Sequence, residues 1–251
     1  MMRIALLSDI HGNSAALEAV LEDIRREGGA AEYWLLGDYA APGPDPLGTL
    51  EMLGRLPNAR FVRGNTDRHL VSSESPTPPL QKVVENPALY QIAVELAGSF
   101  GWTKGVLSRS RWLGWLAELP LELTVRLPGG QECLLVHAAP GLDDGDGIAP
   151  EDPDEQVLPL IQDCTASLIC MGHIHAVMDR RLERWHLINP GCISNPPPGD
   201  TRPSYMILRA DEAGYSLEHR LVTYDSQRMI DSLDGLYHPG ADYLQRKLLG
   251  K

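Results

Sequence analysis

Short apolar runs that end in polar residues recur along the first part of the chain. Residues 4–8, 33–36 and 59–62 are such runs, and we interpret each as a strand. Between the first two, a helix is predicted from the spacing of Leu17, Val20, Leu21 and Ile24, with Asn13 or Ser14 as its cap and Gly28-Gly29 as its stop. Strands that alternate with helices predict a parallel α/β sheet.

Polar side chains follow each of these strands. Asp9 and His11 come after the first, Asp38 after the second and Asn65 after the third. Each residue has a structural alternative, since Asp9 could cap a helix and Asp38 or Asn65 could form a turn. Ligands of parallel sheets bind beyond the carboxyl ends of the strands, where all four residues fall. Taken together, they therefore favour a functional site.

The second half of the chain is rich in strand-like runs. Residues 121–125 and 132–136 flank a turn, and the second run ends at His137. Residues 167–171 run into Gly172, His173, Ile174 and His175, and extended geometry would place both imidazoles on one side of the strand end. Further runs at 181–188, 205–208 and 217–224 suggest a second sheet.

Residues 72–120 differ in character from the rest. A polar, proline-rich stretch at 72–79 precedes segments with a helical pattern, which predicts a helical cap-like insertion at about 72–120. Trp102, Trp112 and Trp115 favour packing of those helices over a platform for bases. We expect a single domain over 1–251, with a C-terminal extension after about 225, and a homodimer through the apolar cap helices is left open.

Composition narrows the class of protein. The chain is 43% hydrophobic and 22% charged, as in a globular protein, and its net charge of -12 argues against a broad nucleic-acid surface. No apolar run is long enough for a signal peptide or a membrane span, so we expect a cytoplasmic protein. The four cysteines lack CxxC spacing and are interpreted as reduced thiols.

The candidate site residues are all oxygen or nitrogen donors. They are Asp9, His11, Asp38, Asn65, His137, His173 and His175. Such a set suits Mn²⁺, Fe²⁺, Zn²⁺, Ni²⁺ or Co²⁺ better than a calcium cage. Seven donors exceed the need of one tetrahedral metal, so two ions with one bridging carboxylate are predicted.

The motifs that carry these residues resemble the calcineurin-like metallophosphoesterase superfamily. They are Asp9-x-His11, Gly37-Asp38, Gly64-Asn65-x-Asp67, His137 and Gly172-His173-x-His175, in this order. Residues 9–13, 43–46 and 189–191 further resemble its small bacterial and archaeal phosphodiesterase branch, which includes diadenosine-tetraphosphate hydrolase-like members. The resemblance implies a four-layer α-β-β-α sandwich, in which two mixed sheets pack face to face.

The resemblance also implies a role for each ligand. Asp9, His11 and His175 would hold one metal, and Asn65, His137 and His173 the other. Asp38 would bridge the two ions, with Mn²⁺ as the first choice of metal. A metal-bound hydroxide would then attack a phosphoester directly, without a phospho-enzyme.

The chain departs from the family pattern at Thr66, where many members have a histidine that serves the phosphoryl group or the leaving oxygen. Members without that histidine tend towards phosphodiesters or activated esters. Thr66, Asp67 and His69 therefore join Asp38 and Asn65 as candidate catalytic residues. His69 could substitute for the missing acid, although a surface histidine is the plainer interpretation.

The expected substrate is a small phosphodiester, of nucleotide type or otherwise. Arg202 and Arg63 are candidates to contact its phosphate, because guanidinium groups suit phosphate, although surface ion pairs are the alternative for both. The alternative function is a non-catalytic metal-binding or protein-binding scaffold on the same fold. An intact set of seven donors favours the enzyme, because a scaffold has no need to keep every ligand.

Overall fold

Two five-stranded mixed sheets form the centre of the computed structural model, which describes residues 1–74, 76–197 and 199–249. Ser75, Pro198, Gly250 and Lys251, which belong to the predicted domain 1–251, lie outside the described residues. The first sheet contains β1 (Met2–Leu7), β2 (Glu32–Leu35), β3 (Ala59–Phe61), β9 (Ser204–Asp211) and β10 (Gly214–Leu221). The second contains β4 (Leu123–Arg126), β5 (Glu132–Leu135), β6 (Leu168–Cys170), β7 (Val177–Leu182) and β8 (Trp185–Pro190).

Helices cover the outer faces of both sheets and one end of the molecule. They are α1 (Ser14–Arg26), α2 (Pro46–Leu53), α3 (Asn65–Val71), α4 (Leu80–Glu85), α5 (Leu89–Leu107), α6 (Trp112–Ala117), α7 (Asp154–Ile161), α8 (Ser226–Gly235) and α9 (Ala241–Leu248). Of the two predicted caps of α1, Asn13 or Ser14, it is Asn13 that serves, since its side chain accepts a hydrogen bond from the N–H of Ala16 at 3.0 Å. Within the described residues, no helix is both long and apolar enough to cross a membrane.

The apolar run of β1 explains the layering. Ile4 and Leu6 pack against side chains of the second sheet, whereas Ala5 and Leu7 pack in the cluster that includes α1. Both faces of the strand are therefore buried, which is why the sequence shows an unbroken apolar run rather than an alternation. The two sheets lie face to face between layers of helices.

The C-terminal strands β9 and β10 belong to the first sheet, so their prediction as part of a second sheet is wrong. β9 pairs antiparallel with β1 from Met2 to Leu6, and β10 pairs antiparallel with β9. The order of the first sheet is β10-β9-β1-β2-β3, and that of the second is β4-β5-β6-β8-β7. Apolar alternation alone carries no information about which sheet a strand joins.

The parallel strands set the position of the site. β1, β2 and β3 run parallel in the first sheet, and β5, β6 and β8 run parallel in the second. Their carboxyl ends meet at one edge of the sandwich, which is where ligands bind in open α/β sheets. α5, within the predicted insertion, and α9, near the C-terminus, flank this edge.

Candidate metal centre

Five of the seven predicted ligands have a left-handed backbone, with φ of 54° at Asp9, 49° at His11, 62° at Asp38, 69° at His173 and 59° at His175. Residues other than glycine seldom adopt positive φ, and such strain concentrates at functional sites. The prediction that an extended segment carries His173 and His175 is therefore wrong. β6 ends at Cys170, and the turn after it directs the two imidazoles to different partners.

Asp9, His11 and His175 form the first group of donors. The Oδ1 atom of Asp9 lies 3.2 Å from Nε2 of His175 and 3.8 Å from Nε2 of His11. The two Nε2 atoms are themselves 3.2 Å apart. The Oδ1 atom of Asp9 is buried and accepts no hydrogen bond of suitable geometry from the described residues. A buried carboxylate oxygen facing two imidazole nitrogens is a fitting environment for a cation.

Asn65, His137 and His173 form the second group, with Asp38 between the groups. The Oδ1 atom of Asn65 lies 3.1 Å from Nε2 of His137 and 3.3 Å from Nδ1 of His173. The two carboxylate oxygens of Asp38 face opposite ways. Oδ1 is 3.5 Å from Nε2 of His137, and Oδ2 is 3.8 Å from Nε2 of His11. Asp38 therefore adjoins both groups through its two oxygens, and Asp9 of the first group also has a carboxylate oxygen near Asp38 and His137.

Backbone carbonyls orient the four imidazoles. Nδ1 lies 2.6 Å from a carbonyl oxygen in three of them: His11 with Ala41, His137 with Leu36 and His175 with Asn195. The Nε2 atom of His173 lies 2.8 Å from the carbonyl oxygen of Gly145. Because a carbonyl only accepts, the nitrogen beside it must carry the hydrogen. The other ring nitrogen then faces the centre, as in a metal-binding histidine.

The charges of this cluster are strongly interdependent. Burial disfavours ionisation of Asp38, but the neighbouring His137 outweighs it and holds the pKa of Asp38 well below its usual range. Against burial, His175 likewise lowers the pKa of Asp9 to about 2. Burial opposes the charge on His137, yet Asp38 raises its pKa to about 10. Protons thus balance the two carboxylates here, and a metal ion that bound would displace protons.

Two glycines allow the close packing of this centre. A Cβ atom on Gly64 would overlap the Oδ1 atom of Asp38, and one on Gly172 would overlap the Oγ atom of Ser8. A larger residue at either position would push the Asp38 carboxylate or the strand end of β1 aside.

Asp67, predicted as a catalytic residue, lies beneath the centre rather than in it. Its carboxylate is fully buried and accepts hydrogen bonds from the N–H groups of Asp38, Tyr39 and Gly64, at 2.9, 3.0 and 2.9 Å. Burial and the Asp38 charge raise the pKa of Asp67 to about 7, and the three donors oppose that rise. Through these three hydrogen bonds, Asp67 holds the turn that carries Asp38.

Thr66 and His69 line the cleft above the two groups of donors, which has a volume of about 240 Å³. The N–H of Thr66 donates to Asp38, and its buried Oγ1 has no hydrogen-bond partner among the described residues. His69 packs edge-on against Phe100, and its Nε2 lies 3.7 Å from Asp144. Burial and the charge of Arg68 lower the pKa of His69. An imidazole with a lowered pKa therefore borders the cleft.

The two arginines predicted to contact phosphate do not line this cleft. Arg63 donates from Nε to Asp143 at 2.8 Å, so its charge is paired with a carboxylate of the loop that follows His137. Arg202 forms a bidentate pair with Asp200 on the surface, beside a neighbouring pocket. In both cases a nearby carboxylate engages the guanidinium, which is the ion-pair alternative named above.

Sequence reasoning missed other residues of the cleft wall. Leu96 and Phe100 come from α5, and Tyr243 and Lys247 come from α9. These residues belong to no motif, and their helices lie far from the metal-binding segments in sequence. The helical spacing of α9 was the only available signal, and it did not indicate which face of α9 would border a site.

Comparison with known proteins defines the class. The family model of the calcineurin-like phosphoesterase superfamily domain matches residues 2–213, so this chain belongs to that superfamily. Membership implies a hydrolase of phosphoesters that uses divalent metal ions, and the donors described above are candidates to hold them. The resemblance stated from the motifs is thereby confirmed.

Three similar proteins illustrate the extent of the match. An uncharacterized protein of Methanocaldococcus jannaschii is 27% identical over 255 residues, which cover 92% of this chain and 91% of that protein. The crystal structure of a hypothetical protein from Pyrococcus horikoshii superposes with a TM-score of 0.81 at 21% identity, over 98% of each chain, and confirms the fold. The symmetrical bis(5'-nucleosyl)-tetraphosphatase of Erwinia tasmaniensis is 38% identical over only 72 residues, 28% of this chain and 26% of that enzyme.

Proposed function

We propose that this protein is a phosphodiesterase with a dinuclear metal centre, acting on a small phosphodiester of nucleotide type. The observation that carries the proposal is the position of Asp38. Its two carboxylate oxygens face two separate groups of nitrogen and oxygen donors, as a bridging ligand requires. Asp9, His11 and His175 would hold one ion, and Asn65, His137 and His173 the other. Mn²⁺ suits this mixture of carboxylate, amide and imidazole ligands.

The metal ions would supply an activated water and positive charge for the phosphoryl oxygens. The chain's own residues provide the environment. The carbonyls of Ala41, Leu36 and Asn195 fix the imidazoles of His11, His137 and His175 in the orientation for binding. The burial of Asp9 and Asp38 excludes water from their carboxylates, which strengthens their interaction with a cation. A substrate would enter through the cleft beside Thr66 and His69.

Preference for a diester is supported by the residue at position 66. Thr66 offers a hydroxyl where a general acid would stand, and a hydroxyl does not give up a proton near neutral pH. Esters with good leaving groups need little protonation, whereas natural phosphomonoesters need much. The short alignment with a bis(5'-nucleosyl)-tetraphosphatase points to the same type of substrate.

The test is metal-dependent hydrolysis of bis-p-nitrophenyl phosphate. We expect turnover with Mn²⁺, loss of turnover after chelation and recovery when Mn²⁺ is returned. His175→Ala should abolish it, whereas His219→Gln, at an imidazole that contacts Ser204 on the first sheet, should not. Undiminished turnover after chelation, with metal loss verified by elemental analysis, would exclude the dinuclear mechanism. A metal-loaded protein that hydrolyses no phosphoester in a panel of diesters, monoesters and dinucleoside polyphosphates would instead indicate a binding scaffold.

A further inference from the structure

Helix α9 presents two residues to the cleft. Tyr243 and Lys247 are four residues apart, so they lie on one face of the helix, and both line the cleft together with His175 and Asn195. On another face of the helix, Leu244 and Leu248 pack into an apolar cluster with residues of α8. The face that carries Lys247 is thus fixed by the burial of the leucines.

A contact with α5 also fixes the position of α9. The Nη2 atom of Arg246 lies 3.2 Å from Oε2 of Glu95, a carboxylate that is only 3% exposed. At the start of α9, Gly240 lies so close to Ser99 of α5 that a Cβ atom would overlap the Ser99 hydroxyl. α9 is therefore held against the wall of the cleft at both of its ends.

Lys247 is the only lysine or arginine among the described residues that line this cleft. It is half-buried, and its ammonium makes no hydrogen bond or ion pair with the described part of the chain. Its ammonium lies 6.0 Å from the ring centre of Tyr243. In a chain with a net charge of -12, a partly buried cation would ordinarily find a carboxylate. Here Arg246, the preceding residue, forms the ion pair with Glu95, and Lys247 faces the cleft.

Lys247 shares the cleft with five of the candidate metal ligands. They are His11, Asp38, Asn65, His173 and His175. A phosphate held near those ligands and one held by Lys247 would therefore lie in the same cleft.

We propose that Lys247 forms a second anion subsite, which binds a phosphate group of the substrate other than the one that is hydrolysed. An ammonium is a compact charge with three donors, and it suits a phosphate that needs no fixed orientation. The preferred substrate would then be a phosphodiester or phosphoanhydride with at least one further phosphate. The inference rests on the proposed function for its substrate class, but its binding part is testable without turnover.

The kinetic test compares two substrates on the Mn²⁺-loaded protein. A dinucleoside tetraphosphate has further phosphates, and bis-p-nitrophenyl phosphate has none. Lys247→Met should lower kcat/KM for the tetraphosphate about tenfold to a hundredfold, the usual value of a charged hydrogen bond, and leave the simple diester within about twofold. Lys247→Arg should keep most of the activity, and Lys82→Met, an exposed lysine of α4, should change neither substrate. Equal losses on both substrates, or no loss on either, would overturn the subsite.

The binding test uses inorganic tripolyphosphate and orthophosphate with the Mn²⁺-loaded protein in a calorimeter. Lys247→Met should raise the Kd of tripolyphosphate about tenfold and leave that of orthophosphate unchanged. Because Lys247 makes no ion pair with the described residues, the variant should keep the wild-type Tm. If the ratio of the tripolyphosphate and orthophosphate affinities is the same in Lys247→Met as in the wild type, the subsite is overturned even if hydrolysis is rapid. A changed ratio supports it even if the wild type hydrolyses nothing, in which case only the proposed function fails.

Discussion

The backbone N–H of Thr66 donates a hydrogen bond of 2.9 Å to the Oδ1 atom of Asp38. The contact comes from the main chain, so any residue other than proline at position 66 can preserve it. Asp38 keeps this support when Thr66 is replaced, whereas replacement of Asp38 removes the carboxylate whose two oxygens face the two groups of donors.

We therefore expect Asp38→Asn to be far more damaging than Thr66→Ala. Loss of a bridging charge should lower kcat/KM on bis-p-nitrophenyl phosphate by about 100-fold or more, since metal ions supply several kcal/mol of transition-state stabilisation. Loss of the Thr66 hydroxyl, which has no partner among the described residues, should cost less than about tenfold. Bound metal should be counted for both variants. Comparable activity losses at saturating metal would remove Asp38 from the bridging role.

A second prediction concerns the buried carboxylate of Asp67. Asp67→Ala would leave three buried N–H groups without their acceptor, at about 1 to 3 kcal/mol each. We expect the free energy of unfolding, from urea titration, to fall by at least about 3 kcal/mol. Asp67→Asn keeps one acceptor oxygen, so its free energy of unfolding should lie between those of the wild type and Asp67→Ala. The control is Asp200→Ala, at an exposed carboxylate, and equal stability of the two alanine variants would contradict the assigned role.

The third prediction tests how the site handles leaving groups. If Thr66 leaves the site without a general acid, rates should depend steeply on the leaving-group pKa. Thr66→His should raise rates on alkyl esters selectively, towards the range of about 10² to 10⁴ that acid catalysis supplies, and change p-nitrophenyl esters little. His69→Ala is the matched variant. If it alone makes the dependence steeper, His69 already donates the proton and the site does not lack an acid.

Stability should also depend on pH through His238. This imidazole is buried against Trp102, its Nε2 has no partner among the described residues, and burial lowers its pKa from 6.5 to about 4. The unfolded chain takes up the proton at pH 6.5, while the folded one resists until about pH 4, so stability falls as the pH falls through that window. The full pKa shift corresponds to about 3 kcal/mol in the free energy of unfolding.

Urea titrations between pH 7 and pH 4 measure this effect, with metal-free protein throughout. His238→Gln keeps an acceptor for the N–H of Gly240 but does not titrate. The difference in unfolding free energy between wild type and variant should shift in favour of the variant as the pH falls. A difference that stays constant with pH would show that His238 does not stay neutral in the folded protein.

The sequence was most informative where a strand ends. Buried parallel strands leave unbroken apolar runs, so Asp9, Asp38 and His137 stand out as the first polar residues after them. The structure brings these residues around one cleft because parallel strands of both sheets end at the same edge.

Other features depend on contacts that no local pattern encodes. The left-handed conformations of His173 and His175 are imposed by the turn after β6, so the prediction of an extended segment failed. The guanidinium of Arg202 predicts a phosphate contact, but Asp200, two residues away, engages that group. Lys247 reaches the cleft because of packing between α8, α9 and α5, and the spacing of α9 alone does not reveal such long-range docking.

The place of β9 in the first sheet has a consequence for synthesis of the protein. β1 lies between β2 and β9, so the strand that carries Asp9 at its end keeps an unpaired edge until Ser204–Asp211 have left the ribosome. His137, His173 and His175 also emerge late, and contacts over such separations form slowly. The nascent chain must therefore carry an open, apolar strand through most of its translation.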